Sequence, residues 1–234
     1  RFYAEAGGQV GDSGTIEKEG GLLEVVNTYE ADGRKVLDTV CRKGSFSSGD
    51  RVKLSLNGDR NLATARNHTA THLLQAALRK VLGAHVRQQG SLVAGDRLRF
   101  DFTHFKDISR EERDRIEEVV NHFIMNNEGL AVRQMSLAQA KKSGALAFFA
   151  EKYDEKVRVV SIGDFSKEFC GGTHLEATGQ IGLFKIIAET TVKAPASPLG
   201  IDSGGSPKII STTCFRIPAN TRPNAIIATM TTTR

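Results

Sequence analysis

The sequence lacks any hydrophobic run long enough to cross a membrane, and it contains few cysteines. No stretch of about 18 apolar residues occurs among its 234 residues, which argues against a membrane-spanning protein. Three cysteines, a small and odd number, argue against a disulfide framework and favour a reducing compartment, so we expect a cytoplasmic location. The net charge of +5 is a mild excess, which permits a nucleic-acid partner without requiring one.

The N-terminal quarter has the pattern of β-structure. Residues 1–60 contain short β-prone runs separated by glycine and aspartate turn signals. The glycine-rich AEAGGQVGDSG, residues 4–14, is more typical of tight turns than of a ligand loop. Residues 61–82 then predict a helix, for which Gly83 is the expected C-cap.

Further helices and strands follow without a regular repeat. Ser109 and Glu112 form a capping-box pattern that predicts the start of a second helix. Strands are predicted at RLRFDFTHF (97–105), where apolar and polar residues alternate, at VRVVSIG (157–163), and over most of residues 181–192. Because no βαβ repeat is visible, the predicted fold class is α+β.

The C-terminal segment, residues 194–234, differs in composition from the rest of the chain. It contains the prolines of the chain, is rich in threonine, and has a single acidic residue, Asp202. No regular element is predicted in it. We interpret it as a linker, a disordered tail, or sequence outside the native reading frame.

Two histidines lie on one face of the first predicted helix. In HTATH, His68 and His72 are four positions apart, about 40° around the helix axis, so both can reach one metal ion. With Gln75 and Arg79 they form a polar stripe that is separate from the apolar residues of the helix. A metal-binding pair and two ordinary core or surface histidines are equally compatible with this pattern alone.

A second motif, CGGTH, changes that balance. Together with the helical pair, Cys170 and His174 make a His₃Cys set of ligands that suits Zn²⁺ better than redox-active iron or copper. Gly171 and Gly172 make a regular helix unlikely between them, so the backbone is free to turn both side chains to one point or to bring amides close to a ligand.

The spacing also bears on what such a metal would do. A zincin peptidase requires H-E-x-x-H, but the residues between these histidines are Thr69, Ala70 and Thr71, so no carboxylate is available there. A structural zinc with four protein ligands and a catalytic zinc with an open position both remain compatible with the sequence.

Several long motifs in series resemble the editing region of alanyl-tRNA synthetases. They are FYAEAGGQVGDSG, NHTATHLLQAALRKVLGAHVRQQGSLV, RLRFDFTHF and IGDFSKEFCGGTH. The similarity begins at the start of the chain and ends near residue 193, and Phe169 stands where the family usually has leucine. The free-standing AlaX-type editing proteins are also similar.

The resemblance implies a fold and an activity. The expected fold is a small β-barrel-like subdomain, residues 1–58, followed by an α+β editing domain of the threonyl/alanyl-tRNA synthetase type, residues 59–193. The implied reaction is hydrolysis of the ester that joins serine or glycine to the 3′ adenosine of tRNA(Ala). The aminoacylation domain, where the parent enzyme binds ATP, is not in this chain.

The resemblance also implies roles for individual residues. The zinc ligands would be His68, His72, Cys170 and His174. Thr71 and Gln88 match pocket residues, Thr71 being the one expected to sense the serine hydroxyl. Gly7 and Gly8 match a glycine-rich stretch associated with tRNA-dependent function, and Gly171 and Gly172 are expected to border the substrate.

Three interpretations of the whole chain follow. The first is the editing region of an alanyl-tRNA synthetase, which the sequence of the motif AEAGGQVGDSG favours. The second is a free-standing AlaX-type hydrolase that edits in trans. The third is a zinc-stabilised tRNA-binding fragment that does not turn over.

Overall fold

Antiparallel sheets and two long helices form the described part of the chain, which in the computed structural model comprises residues 2–147, 154–191 and 206–215. The strands are β1 (Gly14–Lys18), β2 (Gly21–Ala31), β3 (Arg34–Lys43), β4 (Lys53–Leu56), β5 (Gln88–Val93), β6 (Leu98–His104), β7 (Leu130–Ser136), β8 (Lys156–Ile162), β9 (Ser166–Phe169), β10 (Leu183–Thr191) and β11 (Ser206–Phe215). The helices are α1 (Gly58–Leu82), α2 (Arg110–Met125) and α3 (Leu137–Lys142), with a 3₁₀ turn at Thr178–Ile181. The α+β class predicted from the sequence is confirmed.

The N-terminal sheet has the strand order β3-β2-β1-β4. Ile16 in its central strand β1 lies opposite Leu23 on one side and Leu54 on the other. Ile16 and Val25 pack with Phe2 in a small core of their own. The β-prone pattern of the first 60 residues therefore corresponds to one four-stranded sheet.

Helix α1 is the central element of the molecule. Its N-cap is Asn57, whose side chain accepts a hydrogen bond from the backbone amide of Arg60, and Gly83 is the C-cap, as predicted. The middle of the helix is buried on every side, so the polar stripe identified in the sequence does not face water: His68, His72 and Gln75 are each at most 6% exposed. Such buried polar groups need partners: His68 has one in the side chain of Gln9, and His72 lies against the carboxylate of Glu168.

The sheet β10-β11-β6-β5 and the helices α1 and α2 together supply most of the main core. Leu98, Phe100 and Phe102 on β6 are fully buried, as the alternating sequence predicted. Helix α2 begins with the predicted capping box, formed by Ser109 and Glu112. The third sheet, β7-β8-β9, ends at Phe169, directly before the CGGTH segment.

Strand β11 corrects the prediction that residues 194–234 contain no regular element. In residues 206–215 the chain forms a strand between β10 and β6, and Ile210 on that strand is 1% exposed. The composition of the whole segment concealed a short β-branched run, KIISTT, which has the propensity of a strand. The remaining residues of the segment lie outside the described part of the chain. No helix in the described residues is long and apolar enough to cross a membrane.

Candidate metal centre

The fold brings the two sequence motifs to one point. His68 and His72 project from α1, whereas Cys170 and His174 lie on the segment that follows β9. The Cys170 sulfur is 3.3 Å from His68 Nε2 and 3.2 Å from His174 Nε2. One ligand atom from each of the four residues lies within 4.8 Å of every other. The four residues therefore form a cluster that could hold a metal ion.

The donor set and its spacing suit a tetrahedral cation. Bond lengths of about 2.0 Å to nitrogen and 2.3 Å to sulfur place tetrahedral zinc ligands roughly 3.3–3.6 Å apart, close to the two distances from Cys170. His72 Nε2 is buried and has no hydrogen-bond partner among the described residues. A metal bound here would satisfy that nitrogen, which otherwise bears the cost of burial without a partner.

Two of the histidines contact buried polar side chains through their Nδ1 ring nitrogens. His68 Nδ1 is 2.6 Å from the side-chain oxygen of Gln9, and His72 Nδ1 is 2.5 Å from a carboxylate oxygen of Glu168. Gln9 and Glu168 are themselves buried, at 0% and 4% exposure. A proton on His68 Nδ1 donates to the Gln9 oxygen and leaves the Nε2 lone pair for a metal, an arrangement that fixes ring orientation in metal sites. His72 Nδ1 is in close ionic contact with Glu168 but lacks the geometry of a hydrogen bond.

The third histidine, His174, makes a longer contact through its Nδ1 nitrogen. His174 Nδ1 is 3.4 Å from the hydroxyl of Thr69, which also accepts a hydrogen bond from the backbone amide of Leu175 at 3.2 Å. Thr69 lies between His68 and His72 in the sequence, but its side chain contacts the other half of the cluster. The central turn of α1 thus carries or contacts three of the four side chains of the cluster.

The electrostatics of the cluster favour a thiolate. Burial would raise the pKa of Cys170, but the charges of His68 and His72, together with hydrogen bonds from His174 and His68, hold it well below its ordinary range. Burial lowers the pKa of His72, yet the neighbouring Glu168 and Cys170 raise it to about 10. Burial and repulsion from His68 lower the pKa of His174 to about 3. The thiolate is the form of cysteine that binds metals.

The two glycines of CGGTH have different surroundings. A Cβ on Gly172 would overlap the ring of His68 and approach Gln9 Oε1 to 2.7 Å, whereas a Cβ on Gly171 would meet nothing within 4 Å. The Gly172 amide points at the Cys170 sulfur, 3.4 Å away. The guanidinium of Arg158 donates to the backbone oxygens of Cys170 and Gly172, at 3.0 and 2.6 Å, and so fixes the turn.

A cavity of about 310 Å³ opens against the cluster. It brings together eight of the ten residues that the sequence analysis selected, and His174 and Gly8 are not in its wall. Its lining consists of Tyr3, Ala6, Gly7, His68, Thr71, His72, Gln88, Ser91, Asp154, Lys156, Val157, Arg158, Glu168, Phe169, Cys170, Gly171 and Gly172.

Thr71 both forms a hydrogen bond within its helix and borders the cavity. Its hydroxyl donates to the backbone oxygen of Asn67 at 2.8 Å, the bond back to the preceding helical turn that is common for threonine. The same side chain borders the cavity, where the oxygen can still accept a hydrogen bond. Gln88, the first residue of β5, is half-buried in the cavity wall.

The two N-terminal glycines occupy a tight turn. Gly7 and Gly8 have φ of +57° and +85°, a conformation that favours glycine. Gly7 borders the cavity and has open space around it. Gly8 packs against Ser91 so closely that no Cβ fits, so its contribution is to the position of the turn.

Sequence reasoning missed several residues of the site. Gln9 follows the two glycines, and Glu168 precedes Cys170 by two positions, so both lie inside motifs that were quoted for other residues. Tyr3 also borders the cavity, and burial, the charge of Cys170 and the charge of Asp12 raise its pKa to about 12 against the opposing effect of Arg158. Only the folded structure shows that Gln9 and Glu168 contact the cluster and that Tyr3 borders the adjoining cavity.

Comparisons with known proteins agree with the motifs. Residues 157–200 match the family described as the threonyl and alanyl tRNA synthetase second additional domain, and residues 1–60 match the class II (A) tRNA synthetases. An aligned stretch of 194 residues, 82% of the chain, is 53% identical to an alanine–tRNA ligase of Thermotoga petrophila and 50% identical to one of Clostridioides difficile. The chain spans 22% of the length of each of these curated relatives. The resemblance described above is thereby confirmed.

Proposed function

Because the chain is related in sequence to part of the alanine–tRNA ligases, we propose that it is the editing region of such an enzyme. It hydrolyses the ester between serine or glycine and the 3′ adenosine of mischarged tRNA(Ala), in the cytoplasm. The observation that carries this proposal is the cavity, which has the His₃Cys cluster, Thr71 and Gln88 in or against its wall.

A separate hydrolytic site solves a discrimination problem. A pocket that accepts alanine cannot exclude glycine, which is smaller, and serine differs by one hydroxyl, while such small differences are worth only about 1–3 kcal/mol of selectivity. The editing site must spare the correct product. For serine, it therefore needs a contact that an alanine side chain cannot make; glycine cannot make that contact either, so the contact selects serine alone.

Thr71 offers a contact of that kind. Because its own proton is directed to the Asn67 oxygen, the hydroxyl presents an acceptor to the cavity. A serine hydroxyl can donate to it, whereas the methyl group of alanine cannot. Binding alanine there would leave the threonine oxygen without its partner, and an unsatisfied buried acceptor costs about 1–3 kcal/mol.

The cluster would hold Zn²⁺ through His68, His72, Cys170 and His174. When bound, zinc supplies a Lewis acid that can position and polarise groups of the substrate. The carboxylate of Glu168 contacts His72 and also accepts a hydrogen bond from Ser166 at 3.1 Å, so its role is to hold the ligand. No side chain is assigned as general base, and the attacking water is oriented by the site and the terminal ribose.

Other residues of the wall would receive the 3′ end of the tRNA. Gly7 and Gly171 have no side chain and open space around them, so a nucleotide can approach their backbone closely. The amide of Gln88 can both donate and accept hydrogen bonds. Lys156 and Arg158 place positive charge at the same cavity, which suits a phosphate of the tRNA.

Deacylation of Ser-tRNA(Ala) tests the proposal. Zinc-loaded protein should release serine much faster than buffer alone, and Cys170→Ala should lower the zinc content well below one ion per chain and abolish the release. Cys41→Ala is the matched control, because Cys41 is exposed on β3, far from the cluster in sequence, and should change neither property. Release no faster than in buffer would contradict hydrolysis by this chain.

A tRNA-binding module without turnover is the second candidate. The observation that favours it is that four protein ligands suffice to fill a tetrahedral zinc site. X-ray absorption of the zinc-loaded protein, with and without a substrate analogue, separates the two functions. Four protein ligands and no exchangeable water in both states would favour the module, and an open position would favour the hydrolase.

A further inference from the structure

Gln9 is a buried polar residue to which the sequence assigns no role. Its side chain is fully buried, and within the described part of the chain it makes three hydrogen-bond contacts, all with the two segments that carry the proposed metal ligands. Its oxygen lies 2.6 Å from His68 Nδ1 and accepts a hydrogen bond from the backbone amide of Thr173 at 2.8 Å. Its amide nitrogen donates to the Thr173 hydroxyl at 3.1 Å.

The backbone around Gln9 is fixed independently of the cluster. The amide and carbonyl of Gln9 pair with those of Ala6 at 3.0 and 3.2 Å. On either side, the Gly8 oxygen accepts from the amide of Val93 at 2.7 Å, and the Val10 amide donates to the Val93 oxygen at 3.0 Å. The side chain of Gln9 therefore extends from a support that belongs to β5 and the N-terminal turn.

We infer that Gln9 is a positioning residue that joins the two halves of the metal centre. His68 and Thr173 are separated by more than a hundred residues, and the single oxygen of Gln9 accepts a hydrogen bond from each. As an acceptor it keeps the proton of His68 on Nδ1, which leaves Nε2 free as a ligand. Its double contact with Thr173 fixes the segment between Cys170 and His174.

The inference concerns the metal centre on which the proposed function rests, but it is tested by metal binding rather than by hydrolysis. Gln9→Leu keeps the approximate size of the side chain and removes the acceptor. Loss of such an outer partner typically weakens metal affinity by about 10–100-fold. Zinc affinity is measured by competition with a chromophoric chelator, and the Co²⁺-substituted protein reports ligand geometry through its visible absorption.

Gln9→Glu distinguishes the acceptor from mere packing. A carboxylate can still accept from His68 Nδ1 and the Thr173 amide, and the Thr173 hydroxyl can rotate to donate to it. We expect zinc affinity within about threefold of wild type or tighter, because hydrogen-bonded carboxylates commonly support metal-binding histidines. If Gln9→Leu does not fold without metal, the zinc affinity of Gln9→Glu tests whether Gln9 acts as a hydrogen-bond acceptor.

Gln134→Leu, an exposed position on β7, is the matched control and should leave zinc affinity and the Co²⁺ spectrum unchanged. Wild-type affinity and spectrum in Gln9→Leu would overturn the inference, as would a tenfold loss of affinity in Gln9→Glu. A packing role would lower the melting temperature of Gln9→Leu equally with and without zinc. Wild-type protein that binds no zinc would instead refute the metal centre, and normal zinc binding without hydrolysis would refute only the proposed reaction.

Discussion

Gly171 and Gly172 are neighbours in sequence, yet a side chain would have opposite consequences at the two positions. Gly172→Ala places a methyl group in the space that the His68 ring occupies, so the ring must move and zinc affinity should fall by at least tenfold. Gly171→Ala is the control, because open space surrounds that position and its φ is not positive. Chelator competition measures both affinities, and equal values for the two variants would contradict the assigned role of Gly172.

The four side chains of the cluster could be selected from the sequence because their spacing within each motif is local. A separation of four residues in a helix fixes the relative direction of His68 and His72, and CGGTH places two further donors within one turn. Gln9 and Glu168 could not be predicted in the same way. Their contacts depend on how the N-terminal turn and β9 pack against α1, which no local pattern encodes.

At the scale of elements, helices and strands with a clear periodic or capping pattern were predicted correctly from the sequence. Helix α1, the capping box of α2 and the alternation in β6 all follow from the sequence. The burial of the polar face of α1 could not be predicted from the sequence, because the polar face of an amphipathic helix is ordinarily exposed to water. Strand β11 was missed since its β-branched run is short and lies between stretches of different composition.

Strand β11 makes a testable contribution to the main core. Ile210 is 1% exposed and lies opposite Phe100 of β6. Ile210→Ala should lower the free energy of unfolding by about 2–5 kcal/mol, because it removes buried methyl groups and leaves a cavity. Ile187→Ala on β10, where the side chain is 53% exposed, should cost less than about 1 kcal/mol. Urea denaturation compares the two, and similar values would argue against β11 as a core strand.

At the scale of the whole molecule, the metal centre connects segments that the chain separates widely. The N-terminal turn, α1 and the segment after β9 all meet there, so an ion bound to the cluster would stabilise the folded state by mass action. Zinc at a free concentration one hundred times its dissociation constant contributes about 2.7 kcal/mol. The main core of Leu73, Phe100 and their neighbours does not include the ligands, so the metal-free protein should remain folded.

Metal removal should therefore lower the melting temperature without unfolding the protein. For a chain of this size, 2.7 kcal/mol corresponds to a decrease of about 5–11 °C. Circular dichroism before and after chelation measures the shift, and readdition of zinc should reverse it. Cys170→Ala serves as the control, since chelation should hardly change its melting temperature. An equal shift in that variant would place the stabilising metal elsewhere.

The strand order β10-β11-β6-β5 has a consequence for how the protein is made. A ribosome completes β6 and β10 before it has synthesised β11, the strand that lies between them. During that interval both strands present unpaired backbone groups, and such edges are templates for pairing with other chains. The nascent chain therefore cannot complete this sheet until β11, which ends at Phe215, has left the exit tunnel, and the edges of β6 and β10 stay open to other chains until then.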